Sequence, residues 1–350
     1  MIYTMFNTNT VPLPFFCKPY HDESLVSFIL RLTELNHLRN PRQLLEYICG
    51  FSTKPPTPKH ITRIAELTCN SPNDIENLFG FEWQLNNFGT VWRYNNEYIT
   101  KPYFISSRYL SYCPLCLKEK QYLRAWWEFT FYTTCAIHNV NLEDRCPTCH
   151  RLMTWKRPGV NLCICNSTIS EAIPQISDKI LNFFSTIIVK HINPNDDLSV
   201  PSLLPNNIVR KLLNLDLDAL FKTIWLFGYI LRYQHKNSKK SNKPKKVIKS
   251  QEILLSAFQI LENWPESFYI SLRYFSEHLS AGQSHVLLTK LLGPIHRYIT
   301  EDMDSTEFDF IRNAYERHIR ILWETLQRPV PISISSRQLE LPLEERSNGK

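Results

Sequence analysis

Seven of the chain's ten cysteines fall between positions 113 and 165, and they come in pairs. Cys113-Pro-Leu-Cys116, Cys135-Ala-Ile-His138, Cys146-Pro-Thr-Cys149 and Cys163-Ile-Cys165 each set two soft donors on one tight turn. Such a turn grips one face of a metal ion, and two turns complete the tetrahedral site that Zn²⁺ takes from Cys and His. In chain order the first site is Cys113, Cys116, Cys135 and His138, and the second Cys146, Cys149, Cys163 and Cys165. Eighteen residues separate the two turns of the first site and thirteen those of the second, ordinary lengths for a zinc ribbon or finger. Spacing alone also allows interleaved pairing, and His150, next to Cys149, can stand in for a cysteine.

Disulfides are the competing reading. The first sixteen residues hold no Lys or Arg and no apolar stretch like a signal core, so a reducing, cytoplasmic compartment is expected, where this spacing favours metal. Four protein ligands per site leave no position for water, which predicts two structural zinc ions rather than a catalytic one. Their contribution is folding energy for residues 113–165.

The rest of the composition excludes several chemistries. Only 8 glycines occur among 350 residues, where average usage gives about 25. No two lie within five positions of each other, so neither a GxGxxG fingerprint nor a Walker A loop exists. No run approaches 18 apolar residues, and no membrane span is expected. The net charge of +7 is carried by seven lysines between Lys236 and Lys249; the remainder nets to zero. A DNA-wrapping surface is therefore not indicated, and any nucleic-acid contact must be local.

Periodicity predicts a mainly α protein with a small zinc-ribbon or zinc-finger module. Residues 1–20 read as an N-terminal arm and 21–105 as a helical domain with a helix-turn-helix. Residues 106–170 read as the double zinc-binding module, 171–235 as a helical segment, 236–250 as a lysine-rich loop, 251–328 as a C-terminal helical domain and 329–350 as a tail. Asp22 is the expected cap of the first helix, whose apolar face is Leu25, Phe28, Ile29, Leu32 and Leu35. The helix-turn-helix pattern spans Ile61–Leu78, but its second helix offers Asn73, Asp74, Glu76 and Asn77, which would repel phosphates. Residues 81–112 read as irregular, and Pro174 as the start of a helix. Trp126, Trp127, Phe129, Phe131 and Tyr132 are expected to form a local aromatic core. Arg124, Arg145, Arg151, Lys156 and Arg157 give the module a basic rim. Candidate contacts to nucleic acid or partner are Lys236, Lys239, Lys240, Lys243, Lys245, Lys246, Arg124 and Arg145.

Three stretches together resemble a known family. Pro19-Tyr-His-Asp-Glu-Ser-Leu25 with Ser27 and Arg31 looks like the opening signature of the TniQ/TnsD transposition proteins. The block from Tyr112 to Cys149, with Arg124, Trp127 and Leu142, is similar to that family's zinc region, and Asn263-Trp-Pro-Glu-Ser-Phe268 to a motif of its C-terminal helices. Asn166 departs from the glycine often found after the last cysteine. The resemblance implies a non-enzymatic target-site selector for a transposon. Its partners would be a Cascade complex with crRNA, the AAA+ regulator TnsC, target DNA through that complex, and a second copy in a homodimer. Its place would be the cytoplasm, at the nucleoid during targeting. The acidic helix, near-neutral bulk and short C-terminal region favour this Cascade-bound form over direct reading of an attachment site. A third reading, a zinc-containing nuclease or transposase, would need Asp302, Asp304, Glu307 and Asp309 to hold Mg²⁺; these acids more readily cap and solvate the last helix.

Overall fold

Helix α1 (Leu25–Leu35) begins at Ser24, whose side chain accepts a hydrogen bond from the Ser27 amide. The computed structural model describes residues 11–50, 56–85, 89–94, 97–106, 109–235, 247–274 and 292–325. Asp22, the cap expected from sequence, is instead buried against Arg124. A carboxylate with a distant guanidinium to neutralise it has no need of the helix amides, and Ser24, two residues on, takes the cap.

Asn40 caps α2 (Pro41–Cys49), which ends on left-handed Gly50. Helices α3 (Ile61–Leu67) and α4 (Pro72–Glu76) follow, the second opened by a reciprocal Ser71–Asp74 capping box. Phe28, Leu32, Leu44, Ile64, Leu67, Ile75 and Phe81 of these segments share one apolar core. Helix α4 has only five residues, so it offers little more than one turn of surface.

The stretch expected to be irregular contains a three-stranded antiparallel sheet: β1 (Glu82–Leu85), β2 (Gly89–Tyr94) and β3 (Glu97–Ile99). Trp83 pairs with Val91 and Trp92 with Ile99. Thr90-Val-Trp-Arg-Tyr94 is β-branched and aromatic, which suits a half-buried pleat. Helix α5 (Pro114–Glu119) and the two-residue strands β4 (Thr134–Cys135) and β5 (Val140–Asn141) follow.

Helix α6 (Lys179–Ile192) begins five residues after Pro174, capped by Asp178. The intervening backbone is already engaged: the Asn141 amide donates to Gln175 O and the Ser177 amide to Asn139 O. Residues 175–177 thus extend beside β5 and cannot also be helical. The buried face of α6 includes Phe183, Phe184, Ile187 and Ile188, and Ser185 bonds Thr134 at 2.8 Å.

The chain divides into two compact units at Pro201/Ser202, and everything above belongs to the first. The second holds α7 (Asn206–Leu213), α8 (Leu217–His235), most of α9 (Val247–Glu262), α10 (Glu266–Arg273), α11 (292–297) and α12 (Asp309–Thr325). Its aromatic hub is Trp264, with ring centroids 5.3, 5.1 and 5.5 Å from those of Phe227, Phe268 and Phe310. Helices α8 and α9 meet at Gly228, where an added Cβ would lie 2.4 Å from Ile253 Cγ2 and 2.8 Å from Ile253 O. Among the described residues no helix is long and apolar enough to cross a membrane.

Candidate metal centres

The first cluster is assembled by one short helix and one hairpin. Cys113 caps α5 and receives the Cys116 amide on its sulfur at 3.5 Å, so both thiols face the same side. The β4–β5 hairpin then delivers Cys135 and His138. Nδ1 of His138 lies 3.6, 3.3 and 3.5 Å from the sulfurs of Cys113, Cys116 and Cys135, and Cys116 and Cys135 are 3.6 Å apart. A tetrahedron with the usual Zn–S and Zn–N bond lengths has edges of about 3.8 Å between sulfurs and about 3.6 Å between sulfur and nitrogen. A disulfide needs about 2.0 Å. The geometry fits a metal.

Electrostatics point the same way. Hydrogen bonding from Cys116 and Cys135 lowers the Cys113 thiol, and the bond to Cys113 raises Cys135. Three buried sulfurs at this distance cannot all ionise against one another, and a divalent cation removes that conflict.

The second cluster gathers Cys146, Cys149, Cys163 and Cys165, with Cys146–Cys165 and Cys149–Cys163 each at 3.7 Å. In both clusters the donor atoms lie within 4.8 Å of one another, so the chain brings its pairs together in order rather than interleaved. The clusters differ in shielding: Cys165 is exposed and Cys149 half-buried, whereas all three cysteines of the first cluster are buried. His150 is not among the donors. It sits at φ +56°, its amide bonding Cys146 O and its carbonyl accepting from Arg145. Asn139 and Asn166 likewise follow their pairs at φ +54° and +64°. Among residues with a side chain asparagine is one of the few that adopt this left-handed corner readily, which suits Asn139 and Asn166 to it.

Sequence reasoning missed three supporting groups. Ser167 Oγ lies 3.0 Å from Cys146 Sγ and 3.1 Å from Cys165 Sγ. Glu119 Oε1 lies 2.9 Å from His138 Nε2. Arg157, placed on the rim from sequence, is 2% exposed, with no hydrogen-bond partner for Nε or Nη1. Burial pushes its guanidinium down to about 10, against Tyr112, Cys163 and Glu34, which raise it. A buried cation requires negative charge nearby, and a four-thiolate zinc site carries a net charge of −2. The loop after it passes close to α1: a Cβ on Gly159 would lie 2.5 Å from Glu34 Oε2.

The loop aromatics Trp126, Trp127, Phe129, Phe131 and Tyr132 are all buried, which makes them a core and not a stacking platform. Arg124 pairs with Asp22 and faces the rings of Tyr122 and Trp126. Around this pair the chain start is stitched to the loop: Ser24 N to Leu123 O, Ala125 N to Asp22 O and Leu123 N to Ser27 Oγ. Glu23, hydrogen-bonded to Ser27 and Arg31, completes the join. Arg145 remains about half exposed beside Asp144. Lys236, Lys239, Lys240, Lys243, Lys245 and Lys246 lie outside the described residues. Of the four acids considered for Mg²⁺, Glu307 accepts from the Asp216 amide and Asp309 pairs with Arg312.

Fold and site together define a class: a mainly helical protein whose middle is drawn together by two four-donor clusters that could hold two zinc ions. Residues 14–142 match the model of the TniQ family. The matched span runs from the approach to α1 through β5, includes the whole first cluster and stops before Cys146. Over that stretch the chain is similar to the TniQ family. No curated protein matches the chain.

Proposed function

We propose that this protein is a non-catalytic target-site selector of a transposon, linking a guide-RNA Cascade complex to the AAA+ regulator TnsC. The observation that carries the reading is the TniQ match over residues 14–142, which takes in a four-donor cluster with no coordination position left for water or substrate. Two such clusters are scaffolding, and the helices around them are surfaces for partners. The short acidic α4 suits contact with protein better than insertion into a major groove, where a reading helix needs several base-contacting side chains. The selector acts as a homodimer in the cytoplasm, reaching DNA through its complex. Arg145 and the lysines from Lys236 to Lys246 are the candidates for contact with nucleic acid or partner.

The test is co-purification with Cascade and guide RNA, run beside filter binding of the protein alone to random and transposon-flanking duplexes. Stable co-purification with weak duplex binding is expected. Tight, salt-dependent binding to a single duplex without Cascade would replace this reading with an attachment-site DNA binder.

A further inference from the structure

The first cluster contains one contact beyond its four donors. His138 turns Nδ1 towards three sulfurs, while Nε2 lies 2.9 Å from Glu119 Oε1. A neutral imidazole carries hydrogen on one nitrogen only, and the nitrogen that gives its lone pair to a metal must be the bare one. With Nδ1 facing the cluster, Nε2 is the N–H, and it donates to the Glu119 carboxylate. Glu119 follows Cys116 by three positions on α5, one helical turn along the same face. One six-residue helix with its cap therefore supplies two thiols and the carboxylate that orients the imidazole delivered by the hairpin.

We propose that Glu119 is the positioning residue of the first metal site. It fixes the tautomer and ring orientation of His138 and strengthens Nδ1 as a donor, as outer carboxylates do for metal-bound histidines. The alternative is an incidental surface ion pair: the Glu119 side chain is 61% exposed, and exposed pairs contribute little to folding. The two differ in where the effect is felt, because a surface pair leaves metal affinity unchanged.

The inference rests on the first cluster being a zinc site and is independent of the transposition reading. The full chain, loaded with zinc, is titrated with a chromophoric chelator. Glu119→Ala is expected to weaken one of the two zinc ions about 10–100-fold and leave the other, identified by its loss in Cys149→Ser, unchanged. Glu119→Asp keeps the charge but withdraws the carboxylate by one methylene, and the same ion is expected to weaken. It also decides the matter if Glu119→Ala does not fold. Long-range ¹H–¹⁵N spectra of ¹⁵N-histidine protein should show a metal-bound Nδ1 and a protected Nε2–H, with the protection lost in Glu119→Ala. Wild-type affinity in both variants, or coordination through Nε2, overturns the proposal. A wild-type protein that binds no zinc overturns the site along with it.

Discussion

At the scale of single residues, the telling group is Glu128. It is buried beneath the start of α1, its Oε1 has no hydrogen-bond partner, and burial pushes its carboxyl up to about 8, with a Ser24 hydrogen bond acting against the shift. An ordinary glutamate in the unfolded chain loses its proton near 4.3. Between those values the folded state holds a proton that the unfolded state has released, so stability falls as pH rises across the window and levels off above it. The slope from one such group is at most about 1.4 kcal/mol per pH unit. Thermal melts from pH 5 to 8 should show this decline, and Glu128→Gln should flatten it; an equal decline in the variant would remove Glu128 from the account. None of this is visible in sequence, where Glu128 is one acid among 33. Nor is the Asp22–Arg124 pair, whose partners are 102 positions apart. The two four-residue clusters were legible for the opposite reason, since each pair closes within four residues and carries its geometry in its spacing.

At the scale of elements, legibility followed how local the deciding interaction is. Helix α1 is set by apolar spacing within a dozen residues, and its position, though not its cap, could be read; α3 and α4 fall within the Ile61–Leu78 pattern. The strands β1 to β3 are three to six residues long, too short for alternation to stand out, and only their aromatic and β-branched content marked them. The start of α6 was misplaced because β5 engages residues 175–177, a tertiary constraint that no local preference at Pro174 reveals. The corners that close the metal pairs are local again. Asn166→Gly should be tolerated, whereas Asn166→Val is expected to cost about 1–2 kcal/mol, measured as a lower denaturation midpoint of the zinc-loaded protein. Equal midpoints for the two variants would mean that the left-handed corner carries no strain.

At the scale of the whole molecule, the two units should respond differently to metal removal. All eight side chains of the two clusters lie in the first unit, and metals held there would contribute folding energy directly. Chelation is therefore expected to unfold residues 113–165 and release the segments packed on them, while the helices from Asn206 onward keep their hydrogen-exchange protection. Zinc should leave the second cluster first, because Cys165 is exposed and Cys149 half-buried. Mass-resolved exchange during a chelator titration tests both statements, and uniform loss across the chain would refute the division.

The join between residues 22–24 and 123–125 also bears on how the protein is made. On the ribosome α1 emerges with Asp22 and Glu23 but without Arg124 or the strand-like backbone that meets them. At ordinary elongation rates that partner arrives about 5–20 s later. Through that interval the first helix has a helical sequence but no completed seam. The chain's opening signature is thus a lock whose bolt is translated a hundred codons downstream, and the nascent N-terminal segment must wait for the loop that carries Arg124 before it can close.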